Sequence, residues 1–113
     1  ITKNSCITAA SIHAHKRVVI GDNVNIGAGT LIFDTNFHST NSKIRADRNK
    51  DLFDVQLADV VIENNVFIGA RSLICKGVTI GENAMISSGT VVVKNVPKNE
   101  LWGGNPAFFI KQI

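Results

Sequence analysis

No tyrosine occurs among the 113 residues, and only one tryptophan and one methionine do. Aromatic side chains make up 6% of the chain and no basic stripe is interleaved with them, so the modest net charge of +3 gives no footprint for nucleic acid. No apolar run approaches the ~18 residues of a membrane span, and no signal peptide is visible. Two cysteines, Cys6 and Cys75, stand alone without metal-ligand spacing. Free thiols in a reducing cytoplasm are the simplest reading, and the cytoplasm is the expected location. Of the two prolines, Pro97 lacks the N–H that a sheet needs and is expected to end any ladder that reaches it. With 113 residues and 44% apolar content, one domain with a real core is expected.

What the chain does have is a beat of six. Ile62, Ile68, Ile74, Ile80, Ile86 and Val92 keep it, and Ile20, Ile26 and Ile32 keep it upstream in the same phase. An α-helix gives that spacing no face, because six residues advance it by about 600°. In a strand, i and i+6 point the same way. One strand this long is excluded by ordinary strand lengths of about 3–10 residues. The remaining option is a chain of short strands that bends every six residues and coils over itself. Three residues after each anchor but Ile32 stand Asn23, Gly29, Asn65, Arg71, Gly77, Asn83, Gly89 and Asn95. All but Arg71 are types that tolerate positive φ. Four residues after the same anchors stand Val24, Thr30, Val66, Ser72, Val78, Ala84, Thr90 and Val96, small or β-branched throughout. The pattern is the hexapeptide repeat of a parallel β-helix. Nine buried anchors at roughly 1.5–3 kcal/mol each support a narrow core, and both ends of the stack need covering.

Residues 1–19 keep the rhythm imperfectly, since Ile7 and Ile20 are out of step by one; an extra residue near His13–Arg17 accounts for this. Repeats follow at 20–37 and 60–97. Between them, residues 38–59 run without the beat, and a loop of that length is usually functional or disordered. Asn105-Pro106 looks like a helix start. Phe108, Phe109, Ile110 and Ile113 then give an amphipathic cap over 98–113, with Trp102 a part of it.

The segments IGDNVNIGAGT, IENNVFIGARSLICKGVTIGENAMISSGTVV and GGNPA resemble the left-handed β-helix acyltransferases, the hexapeptide transferases, over nearly the whole chain. DTNFHS is similar to the Asp-x-Asp/Asn-Phe-His pattern of the galactoside, maltose and polysaccharide O-acetyltransferases. The resemblance implies an all-β, left-handed parallel β-helix with an extruded loop and a short C-terminal helix. It implies a homotrimer with the loop laid over a neighbouring subunit. Family members usually extend further at the N-terminus, so a preceding segment is expected before Ile1. The implied activity is acetyl-CoA-dependent transfer to a sugar hydroxyl, with His38 as general base. Imidazole suits that work at neutral pH, because a hydroxyl must lose its proton as it attacks a thioester. The Ala70 amide is the implied oxyanion donor. By the same resemblance coenzyme A lies against Phe67, Gly69, Ala70, Ser88, Val93 and Lys94, with Lys111 reaching its phosphates. Phe67 stands where relatives often have Trp, and Lys111 where they have Arg.

Asp34 and Asn36 flank the base and are candidates to orient the imidazole or bind the acceptor; Asn4 and Ser5 are candidates from the preceding coil. No metal is expected. His13 and His15 share a side of a strand, but a third ligand with suitable spacing is missing. Three other functions fit the same repeat. One is N-acetylation of a sugar amine, and one is a silent binding β-helix. The last, a carbonic-anhydrase-type hydratase, needs three converging histidines.

Overall fold

The computed structural model describes residue 1 and residues 3–113. The six-residue beat folds as a three-faced coil. The first face stacks β1 (Cys6–Ile7), β4 (Asn25–Ile26), β7 (Phe67–Ile68), β10 (Met85–Ile86) and β12 (Glu100–Gly103), with β13 (Phe108–Gln112) at its edge. The second stacks β2 (Ser11–His13), β5 (Leu31–Phe33), β8 (Leu73–Ile74) and β11 (Val91–Val92). The third holds β3 (Val18–Ile20), β6 (Val60–Ile62) and β9 (Thr79–Ile80), and Val96 bridges to its end. Among the described residues these strands all pair in parallel except β12 with β13.

The register turns the sequence beat into columns. Ile7, Ile26, Ile68, Ile86 and Trp102 are successive partners on the first face. Ile12, Ile32, Ile74 and Val92 stack on the second, and Ile20, Ile62 and Ile80 on the third. All the anchors from Ile20 to Val92 are buried at 2% exposure or less, as is the column four residues on, from Val24 to Val96. The coils at 62–78 and 80–96 therefore each contribute three large and three small inward side chains, which suits so narrow a prism.

The bends form where positive φ was expected. Asn23, Gly29, Asn65, Arg71, Gly77, Asn83 and Gly89 all lie there, with φ between 56° and 78°. Asn95 does not: its side-chain oxygen instead accepts the Thr79 amide at 2.8 Å, at the last corner before Pro97. On one corner Asn23, Asn65, Asn83 and Asn99 form an amide ladder, each donating to the next at 2.9–3.2 Å.

Two expectations are revised. In the first coil, Ile7 to Ile12 is a step of five and Ile12 to Ile20 a step of eight. The surplus of one is thus a residue short before Ile12 and two extra at His13–Arg17. At the other end, no C-terminal helix forms. Residues 104–107 turn, and β13 runs back antiparallel to β12. Phe108, Phe109 and Ile110 suit a pleated strand better than a helix, and strand pairing satisfies backbone groups that a one-turn helix would leave open. These residues and Ile113 stay 45–60% exposed. The coil end is closed instead by Trp102 and Ala107, packed against the core. The Glu100 carboxylate accepts the Trp102 Nε1–H at 2.9 Å.

Candidate active site

The beat fails at Asp34 for a structural reason. Its carboxylate is fully buried and accepts the amides of His15 (2.9 Å), Lys16 (2.6 Å) and Arg17 (2.7 Å). It thereby holds the two surplus residues of the coil below. Burial raises its pKa, but these backbone hydrogen bonds prevail and hold it below the usual carboxylate range. The Asp34 carboxylate is thus engaged by backbone amides, not by the His38 ring, and it does not line the cleft beside that ring. Beyond Asp34 the chain leaves the coil through a short antiparallel neck, with Thr35 bridged to Leu57, Ala58 N–H donating to Asp34 O and Asn36 N–H to Gln56 O. The exposed Asn36 accepts the His38 amide on its carbonyl at 2.7 Å.

The excursion is ordered by two short helices, α1 (Ser42–Arg45) and α2 (Arg48–Phe53). Asn41 and Asp47 cap them, as Asx side chains do when they accept the first free amides. α2 points Asp51 back at the neck. Asp51 is 7% exposed, and its Oδ2 lies 2.7 Å from His38 Nδ1 while Oδ1 accepts the Ser39 amide at 2.6 Å. The Ser39 amide and the His38 ring hold its carboxyl below the usual range against the opposing effect of burial. An ionised carboxylate on Nδ1 places the imidazole proton there and leaves Nε2 with its lone pair. Asp51 is the group that orients His38, and sequence reading missed it. Its only signal was a carboxylate in the first turn of a helix thirteen residues beyond the histidine, outside any repeat. His38, Asp51, Phe37, Arg45, Ala46, Arg48 and Leu52 line a cleft of about 530 Å³, and the His38 side chain is 67% exposed in it.

The remaining candidates lie elsewhere. Gly69, Ala70 and Ser88 stand at the corner between the first and second faces. Among the described residues the Ala70 N–H makes no hydrogen bond, although the neighbouring Gly69 and Arg71 amides donate to Ile86 O and Ala28 O. A Cβ on Gly27 would sit 2.5 Å from the Ala70 nitrogen, so the glycine below keeps that amide uncovered. Val93 and Lys94 stand at the next corner, the one His38 leaves from. Phe67, 44% exposed, is on the outer side of the first face, and Lys111 is on β13 opposite Leu101. None of these lines the His38 cleft. Asn4 and Ser5 do not reach it either. They precede β1 at the corner of the asparagine ladder, and the Ser5 hydroxyl is engaged by Gly21 O at 2.7 Å and the Val24 amide at 3.2 Å. His13 and His15 meet the Phe37 ring edge-on at 5.6 and 6.1 Å. Among the described residues no three His, Cys, Asp or Glu side chains are grouped to hold a metal ion. Burial pushes the Cys75 thiol up, with Lys76 opposing, so this sulfur stays protonated.

Comparison with known proteins agrees with the repeat and the fold. The bacterial transferase hexapeptide model (six repeats) matches residues 59–94, and a hexapeptide repeat model of succinyl-transferase matches 17–32. The chain is 35% identical to the galactoside O-acetyltransferase of Escherichia coli K12 over 96 residues, 85% of this chain and 44% of that protein. Over 56 residues it is 50% identical to a tetrahydropyridine-dicarboxylate N-acetyltransferase of Enterococcus faecalis, covering 50% of this chain and 24% of the other. It thus spans less than half the length of these curated relatives. A solved galactoside acetyltransferase in complex with coenzyme A superposes with a TM-score of 0.82 at 32% identity, covering 97% of this chain and 56% of that one. With its columns, its corners and these matches together, the chain carries the hexapeptide repeat and has the left-handed β-helix fold of the acetyltransferases it resembles.

Proposed function

We propose that this chain is the β-helix of an acetyl-CoA-dependent acyltransferase in which His38 is the general base for a sugar hydroxyl. One observation carries the reading: the 2.7 Å contact of His38 Nδ1 with a buried carboxylate, in an open cleft. The free Nε2 takes the hydroxyl proton as the oxygen attacks the thioester carbonyl. The tetrahedral oxyanion is met by a free amide, for which Ala70 is the candidate. It collapses with loss of coenzyme A thiolate, which recovers the proton from the imidazolium. No acyl-enzyme is required, in keeping with the protonated Cys75. The coenzyme A complex of the galactoside acetyltransferase supports the donor, and the sugar named for that enzyme supports the acceptor class.

Within one chain His38 and Ala70 occupy different edges of the prism, one face apart. Six residues of strand span roughly 15–20 Å, too far for one reacting carbonyl. Two copies side by side bring one edge of each together, and this supports a homotrimer with shared sites. Phe67, Gly69, Ser88, Val93, Lys94 and Lys111 remain the proposed walls of the coenzyme A groove.

His38→Ala is expected to lower transfer by about 10²–10⁴-fold, read as thiol release, while calorimetric coenzyme A binding stays unchanged. Near-normal turnover by that variant would remove the proposed base. N-acetylation is the second reading, favoured by the match to an N-acetyltransferase. An amine acceptor needs less base assistance, so a screen of paired amino and hydroxy sugars separates the two.

A further inference from the structure

The cleft beside His38 is not chemically neutral. Arg45 and Arg48 both line it, and Asp51 is the acid there. That carboxylate is already engaged by the His38 ring and the Ser39 amide. The other acids of the excursion are engaged too: Asp47 accepts the amides of Asn49 and Lys50, Asp54 accepts the Ser39 hydroxyl, and Asp59 pairs with Lys16. Arg45 directs one N–H to Ser39 O at 3.1 Å and helps to hold Asp51 ionised. Among the described residues, the ion pairs are Lys16–Asp59 and His38–Asp51, so neither arginine is in one. Two guanidinium forks thus face a concave space that holds one committed carboxylate. Phe37, 41% exposed, and Leu52, 69% exposed, add apolar surface to the same cleft.

We infer that the acceptor carries an anionic group, phosphate or carboxylate, which sits on Arg48 and Arg45 while the apolar side of its sugar ring lies against Phe37 and Leu52. Guanidinium forks match the paired oxygens of both groups and hold them in a fixed orientation. An anion anchored there sets which hydroxyl reaches Nε2. This inference rests on the acyltransferase reading, since it takes His38 as the reacting end of the cleft.

The test separates the two. Glucose, glucose 1-phosphate, glucuronate and inorganic phosphate are titrated calorimetrically into the full chain saturated with coenzyme A, so that any site for the cofactor's own phosphates is filled. The three anions are expected to bind more tightly than glucose. Arg48→Gln should weaken them by about 10–100-fold, Arg48→Lys by less, with coenzyme A affinity unmoved. Comparing glucose 1-phosphate with glucuronate tells phosphate from carboxylate. The inference is overturned if none of the anions binds better than glucose, or if Arg48→Gln weakens coenzyme A instead. Acetyl transfer to neutral sugars without anion binding would sink it and leave acyl transfer intact. Anion binding without transfer to any hydroxyl or amine would retain the site and end the reading beneath it.

Discussion

At Asp34 a carboxylate stands where the repeat breaks, and its three amide bonds tie two coils together. Asp34→Ala leaves three inward amides unpaired. Each unsatisfied group costs about 1–3 kcal/mol, partly relieved if the bulge opens to water, so a loss of about 3 kcal/mol in urea denaturation is expected. The pH dependence follows from the lowered pKa. A depressed carboxyl contributes its stability in full above the unfolded value of about 3.9, and loses it as pH falls through the folded value. Wild type should therefore weaken below about pH 4, and Asp34→Asn should flatten that slope. From sequence, Asp34 and Asp51 could not be told apart in role. The acid nearer to His38 in the chain supports the backbone, and the distant one touches the ring.

At the scale of the element, every repeat corner but the one at Asn95 places one residue in the left-handed region, and the residue type decides what that costs. Asn83 sits at φ 65° and also links Asn65 to Asn99 in the amide ladder. Asn83→Ala puts a residue without asparagine's tolerance of that conformation there and removes two side-chain bonds, for a loss of about 1–2 kcal/mol. Asn83→Gly should lose less, because only the ladder is broken; equal losses would show that the backbone conformation contributes nothing. These corners were legible in the sequence because a local steric rule sets them. The end of the chain was not. FFIKQ follows an Asn-Pro pair that reads as a helix start, but the free edge of β12 offers it strand pairing, and that edge exists only once the coil has formed.

For the whole molecule, the separation of His38 from Ala70 predicts complementation. His38→Ala and Ala70→Pro should each be inactive alone, the second because its amide is gone. Mixed, unfolded and refolded together, they should regain a fraction of wild-type activity, since some sites then combine an intact base with an intact amide. Circular dichroism confirms folding of each variant, and light scattering reads the assembly. Activity that never returns from folded mixed assemblies would place both groups in one protomer's site.

Sequence alone determined the coil, its phase, its bends and the place where it fails, because a solenoid repeats one local solution and each residue's environment recurs six positions on. It also marked His38, through its flanks. Tertiary structure decided what the failure is for. An excursion free of the beat carries no periodic constraint, so only its folding, two capped turns of helix closed over a neck, could bring Asp51 and two arginines to the imidazole.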